Sequence, residues 1–261
     1  MLGRMAPSTV AFFPGWDGTR LAYRVMGEGR PLVLLHGVAV ASTMWERHGL
    51  AEVFAGLGHR VLMPDLRGHG LSAKPQDAAA YPPDVLTDDA LAFVEHLGLV
   101  DYDLGGYSLG GRIVVQMMVR GATPARAFVG GQGLREVNGG VATGAGAQLR
   151  RMIAGWGTGA PGSEQERSER WARASGLDPV ATVHVLNSLV ATATERVGGV
   201  EVPTLVVVGR DDPRAASAAE LVDALPEATL VEVPGDHGTA PAAPQFATAV
   251  GQFLAGEPAG R

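Results

Sequence analysis

The sequence predicts an α/β fold, a mostly parallel central sheet with helices on both faces and a small helical cap. Three observations predict it. Short apolar runs alternate with helix-length amphipathic segments along most of the chain. Several of those runs show no polar alternation, as expected of strands covered on both faces. The alternation breaks once, between residues 134 and 200.

Residues 10–14, 21–26 and 31–36 read as strands, separated by the turn formers Gly15-Trp16-Asp17-Gly18 and Gly27-Glu28-Gly29. The third contains Leu32-Val33-Leu34-Leu35, a β-prone run without a polar face. Ser42 is placed to cap a helix running to Leu57, and residues 60–63 form the next short strand. Val85, Ala92, Phe93 and Leu97 give helical spacing over residues 84–97. A strand over 102–106, a helix over 110–120 and a strand over 127–130 follow. Right-handed crossovers between such units make the sheet mostly parallel.

Two Gly-rich stretches, 139–146 and 155–162, then flank helical segments around 149–156, 164–174 and 179–193, and no strand is expected there. Strand and helix alternation resumes with 204–208, 215–225, 229–233 and a final helix over 244–254. The expected division is a core of residues 1–133 and 201–261 with a helical cap insertion at 134–200.

A chain of 261 residues, 46% hydrophobic and 18% charged, is long and apolar enough to bury one large core. The formal charge of −6, without a basic cluster interleaved with aromatics, argues against nucleic acid as a partner. The absence of cysteine excludes disulfides, thiolate metal sites and a cysteine nucleophile together. Residues 1–8 lack a signal-peptide core, and no run approaches the ~18 apolar residues of a membrane span. The expectation is a soluble cytoplasmic protein, monomer or homodimer, acting on a small molecule. No metal is expected: His48, His59, His96 and His184 have no second ligand at metal spacing.

Gly106-Tyr107-Ser108-Leu109-Gly110 fits G-x-S-x-G between a predicted strand and a predicted helix. A serine in such a turn projects its hydroxyl outward. With 37 glycines in the chain the pattern alone is not specific, so its setting carries the weight. Catalytic groups in open α/β sheets gather at the carboxyl ends of strands. Ser108, the pair Asp211 and Asp212, and His237 all follow predicted strands, in the order Ser, Asp, His. A serine hydroxyl needs an imidazole to take its proton and a carboxylate to hold that imidazole. His237 suits the base role, and Asp212 is favoured over Asp211 as the acid. The neighbour Asp236 is on the same short loop as His237 and is not expected to reach the imidazole. The backbone N–H groups of Val38 and Leu109 are the candidate oxyanion donors. His36 is expected to bond loop backbone, and the run from Asp65 to Gly70 to brace the loops through an internal ion pair. Tyr107, Met152 and Trp156 are the candidate pocket residues; Met152, Trp156 and Trp171 read first as packing of the helical cap, whose core and pocket wall would be one surface.

These motifs resemble the α/β-hydrolase superfamily, in its branch of short cap-bearing serine hydrolases. The resemblance runs through Leu35-His36-Gly37, Pro64 to Ser72, Gly106 to Gly111, Gly209 to Asp212 and Gly235 to His237. It departs at Tyr107, where His or Gln is common, and in the short Gly-rich cap. It implies cofactor-free hydrolysis of a carboxylic ester through an acyl-enzyme. Thioesterase, lactonase, carbon-carbon bond hydrolase and perhydrolase are alternatives within the same chemistry. A non-hydrolytic ligand-binding protein, or a biosynthetic acyltransferase or cyclase, is the alternative on the same scaffold. An aromatic content of 6% and a largely aliphatic cap suggest a modest apolar acyl group.

Overall fold

The computed structural model describes residues 7–139 and 144–256. Residues 1–6 of the amino-terminal segment and 140–143 of the first Gly-rich stretch lie outside the described residues, as do 257–261. Eight strands form one sheet in the order β1-β2-β4-β3-β5-β6-β7-β8. They are β1 Thr9–Pro14, β2 Arg20–Met26, β3 Arg30–Leu35, β4 His59–Pro64, β5 Asp103–Tyr107, β6 Arg126–Gly130, β7 Thr204–Gly209 and β8 Ala228–Val233. β2 runs antiparallel to both β1 and β4, and every other pairing is parallel. The mostly parallel α/β sheet is therefore as expected.

The unbroken apolar runs have their predicted cause. Along β3, Val33 and Leu35 enter one buried cluster while Leu32 and Leu34 enter another on the opposite face. The same period of two sends Val206 and Val208 of β7 one way and Leu205 and Val207 the other. Helices α3 Val85–His96, α4 Leu109–Val119 and α10 Ala215–Ala224 supply the first face. Helices α1 Thr43–Arg47, α2 Leu50–Gly56 and α11 Pro244–Leu254 supply the second.

The single helix expected from Ser42 to Leu57 is two helices, because Gly49 takes a left-handed φ of 71° between them. Ser42 does not cap with its side chain; its N–H instead donates to Asp65 Oδ1 at 2.8 Å. Between β6 and β7 lie α5 Leu134–Asn138, α6 Gly144–Ala154, α7 Glu164–Ala174, α8 Pro179–Ser188 and α9 Thr194–Val197. The caps of α7 and α8 are local: Ser163 Oγ accepts the Glu166 N–H and Asp178 Oδ1 accepts the Ala181 N–H. α8 stops at Ser188, five residues before the expected end. Beyond it the backbone is tied to α5 and α4, where Thr192 donates its N–H to Val137 O and its hydroxyl to Gln116 Oε1. The buried guanidinium of Arg112, on α4, donates to the carbonyls of Glu136, Gly139 and Val190. That one side chain ties the elbow helix to both ends of the insertion.

Candidate active site

Ser108 separates β5 from α4 with φ 55° and ψ −117°, a left-handed conformation that a non-glycine residue adopts only under constraint. The constraint is visible in the flanking glycines. A Cβ on Gly110 would lie 1.9 Å from the carbonyl oxygen of Leu35, and one on Gly106 would lie 2.3 Å from the Gly110 carbonyl carbon. Only residues without a side chain let α4 start this close to the ends of β3 and β5. The amino terminus of α4 is thereby pressed behind the serine.

The loop after β8 carries His237 to Ser108, with Nε2 3.0 Å from Oγ. Its Nδ1 lies 2.7 Å from Asp212 Oδ2, on the loop after β7. With Asp212 ionised, Nδ1 carries the proton and donates it to the carboxylate, so Nε2 is free to accept from the Ser108 hydroxyl. Burial pushes the Asp212 carboxyl up. The His237 hydrogen bond, the Arg214 N–H at 3.0 Å and the charges of both outweigh that and hold it below its usual range. Asp211 is exposed, its N–H is tied to Gly235 O at 3.0 Å, and the carboxylate bonded to the imidazole is that of Asp212. Asp236 spends its carboxylate on the N–H groups of Gly238 and Thr239, as a staple within its own loop.

The His36-Gly37-Val38 loop lies against Ser108: a Cβ on Gly37 would be 3.4 Å from that of the serine. Among the described residues, neither the Val38 nor the Leu109 N–H has a hydrogen-bond acceptor. His36 is fully buried, accepts the Leu66 N–H at Nε2 (3.0 Å) and donates from Nδ1 to Gly37 O (2.7 Å). Those two partners fix its neutral tautomer, and burial lowers its pKa accordingly.

Of the expected pocket residues, Met152 lines a cavity of about 420 Å³ together with Val38, Ala39, Leu149, Arg167 and Trp171. Trp156 does not line it and instead lies under the Arg173 guanidinium at 4.6 Å. Trp171, 53% exposed on α7, takes the place expected of Trp156. Tyr107 is also elsewhere. Strand alternation turns it to the sheet face opposite Leu104, where it packs at 5.9 Å on Phe246. From there its ring backs the His237 imidazole at 5.3 Å and its hydroxyl donates to the His237 carbonyl at 2.7 Å. Burial and the nearby Asp212 push its phenol well above the ordinary value. Neither the cavity beside Met152 nor the larger cleft of about 630 Å³ between α2 and α11 is lined by Ser108, Asp212 or His237; Val38 joins the first cavity to the loop beside Ser108.

The loop after β4 does brace the site, but with different partners from those expected. Asp65 accepts the N–H groups of Ser42 and Leu71, both at 2.8 Å. The ion pairs belong to Arg67, fully buried, with Asp89 at 2.9 Å and Asp17 at 2.7 Å. His69 packs on His36 at 5.1 Å, and burial followed by that neighbour lowers its pKa from 6.5 to about 3. The unfolded chain takes up this proton as pH falls through 6.5, whereas the folded protein refuses it until about 3. Stability is therefore complete above pH 6.5 and falls below it by up to about 1.4 kcal/mol per pH unit for this group. Urea denaturation at pH 7, 6 and 5 is expected to show that decline, with His69→Gln flattening it; an unchanged slope in the variant contradicts the assignment.

Sequence inspection did not single out Gln132 or Arg112. Gln132 is 6% exposed, and its Nε2 donates to the Ser108 carbonyl at 2.6 Å. The filter that selected Ser108, Asp212 and His237 also covers it, since Gln132 follows the carboxyl end of β6.

The sequence profile of the alpha/beta hydrolase fold matches residues 30–131. A non-heme haloperoxidase from Rhodococcus erythropolis is 30% identical across 87% of this chain and 92% of its own length. Among solved structures, a hydrolase from Pseudomonas aeruginosa PA01 superposes with a TM-score of 0.75 at 24% identity, covering 94% of this chain and 98% of its own. The enol-lactonase from Burkholderia xenovorans LB400 gives 0.73 at 22%, with the same coverage. The two structures share the fold, and the haloperoxidase aligns over more than four fifths of this chain at 30% identity. On that combined ground the chain belongs to the alpha/beta hydrolase family.

Proposed function

We propose that this alpha/beta hydrolase cleaves a small-molecule carboxylic ester through an acyl-enzyme, with Ser108 as nucleophile, His237 as base and Asp212 as acid. The observation that carries this is the continuous relay from Ser108 Oγ through His237 to Asp212, at 3.0 and 2.7 Å, on a serine at a left-handed elbow. In this reading Ser108 attacks the ester carbonyl while His237 Nε2 takes its proton. The Val38 and Leu109 N–H groups receive the oxyanion. His237 then returns the proton to the departing alcohol, and a water molecule, deprotonated by the same nitrogen, releases the acid and restores the serine. Helices of residues 134–200 act as the cap, and Val38, Met152 and Trp171 bound the acyl group.

A short-chain p-nitrophenyl ester is expected to give a burst of nitrophenol close to one equivalent per chain, followed by a slower steady rate. Tight binding of an apolar ligand with only trace turnover would overturn the reading in favour of a non-hydrolytic binding protein. The haloperoxidase relative favours a second reading, in which hydrogen peroxide replaces water as acyl acceptor. The acyl-enzyme then yields a peracid and free Ser108, and peracid formation from an ester plus added peroxide tests it.

A further inference from the structure

The run Gly130-Gly131-Gln132-Gly133 contains one side chain, and that side chain is spent on the elbow. Gly130 O accepts the Ser108 N–H at 2.8 Å, and Gln132 Nε2 donates to Ser108 O at 2.6 Å. One loop thus grips the strained serine by both of its backbone polar groups. The Ser108 carbonyl already has its ordinary helical partner, the Arg112 N–H at 3.1 Å, so the amide of Gln132 is an addition to what α4 itself requires. The arrangement has a cost, because Gln132 Oε1 is buried without a partner among the described residues. A side chain present only to fill space would be cheaper as an apolar one.

The Ser108 carbonyl belongs to the same planar peptide as the Leu109 N–H, and in a trans peptide the two point in opposite directions. A donor holding the carbonyl from behind therefore sets where the N–H points. It also draws electron density toward the carbonyl oxygen and strengthens the N–H as a donor. The other proposed oxyanion donor is built the same way: His36 Nδ1 holds Gly37 O at 2.7 Å, and Gly37 O shares its peptide with the Val38 N–H.

We propose that Gln132 is a positioning residue of the oxyanion site, aiming and polarising the Leu109 N–H through the Ser108 carbonyl. This rests on the hydrolase reading above. Gln132→Met keeps the length of the side chain and removes its donor. Since an oxyanion donor works in the transition state and not on the bound ester, kcat for a p-nitrophenyl ester is expected to fall about 10- to 100-fold with KM within about twofold. Affinity for a short-chain alkyl trifluoromethyl ketone, whose adduct with serine carries the oxyanion, is expected to fall by the same factor. Unchanged kcat and ketone affinity, or a rise in KM alone, overturns the proposal. Should Gln132→Met fail to fold, Gln132→Glu replaces it. Its protonated acid can still donate to the carbonyl and its carboxylate cannot, so its activity relative to wild type should fall as pH rises; a constant ratio overturns the proposal. Wild-type protein without ester turnover or ketone adduct counts against the hydrolase reading, whereas an active wild type with an equally active Gln132→Met counts against Gln132 alone.

Discussion

Ser108→Ala is expected to lower kcat for activated esters by about a millionfold, the scale on which a serine triad acts as a unit. His237→Ala should cost about as much, and the double variant scarcely more, because each member is useless without the other. The geometry gives the reason: the only base within hydrogen-bonding reach of Ser108 Oγ among the described residues is His237 Nε2, at 3.0 Å. Steady-state rates with a p-nitrophenyl ester, corrected for spontaneous hydrolysis, measure this. Losses from the two single variants that simply add in the double would show that serine and histidine act independently.

Asp212→Asn is expected to reduce kcat by about 10⁴-fold while Asp211→Asn leaves it within about twofold. An asparagine amide in place of Asp212 can present its NH₂ to His237 Nδ1, which then has to accept. The proton moves to Nε2, the nitrogen that must receive the serine proton, and the relay is reversed without any change of shape. Asp212 is held ionised by His237 and Arg214, and its side chain is wholly buried, so water does not substitute for it. Among the described residues Asp211 makes no such contact, and it is exposed. A larger loss from Asp211→Asn than from Asp212→Asn would transfer the acid role to the neighbour.

The sheet was legible because burial on both faces leaves a continuous apolar run, and β3 and β7 carry one. The elbow was legible because its glycines answer to a backbone collision, with Leu35 and Gly110, that no other residue relieves. Asp212 and His237 were reachable from the rule that loops at the carboxyl ends of parallel strands converge. Side-chain direction was harder to read. Tyr107 adjoins Ser108 in sequence yet turns to the opposite face of the sheet, a consequence of strand parity that its proximity to the motif obscured. Trp156 and Trp171 occupy different helices of the insertion, and which of them meets the cavity depends on how α6 and α7 pack, which a periodicity does not specify. The early end of α8 arises from bonds made by Arg112 and Thr192 to distant residues. Gln132 is of the same kind: its partner is a backbone carbonyl 24 residues away, and no sequence pattern marks a carbonyl.

The claim that Ser108 carries the acyl group is tested most directly by acid quench during turnover of a p-nitrophenyl ester, followed by peptide mass spectrometry. The expected result is one acyl group per chain, on Ser108, absent from Ser108→Ala. An acyl group on another residue, or turnover at the wild-type rate in Ser108→Ala, would contradict it.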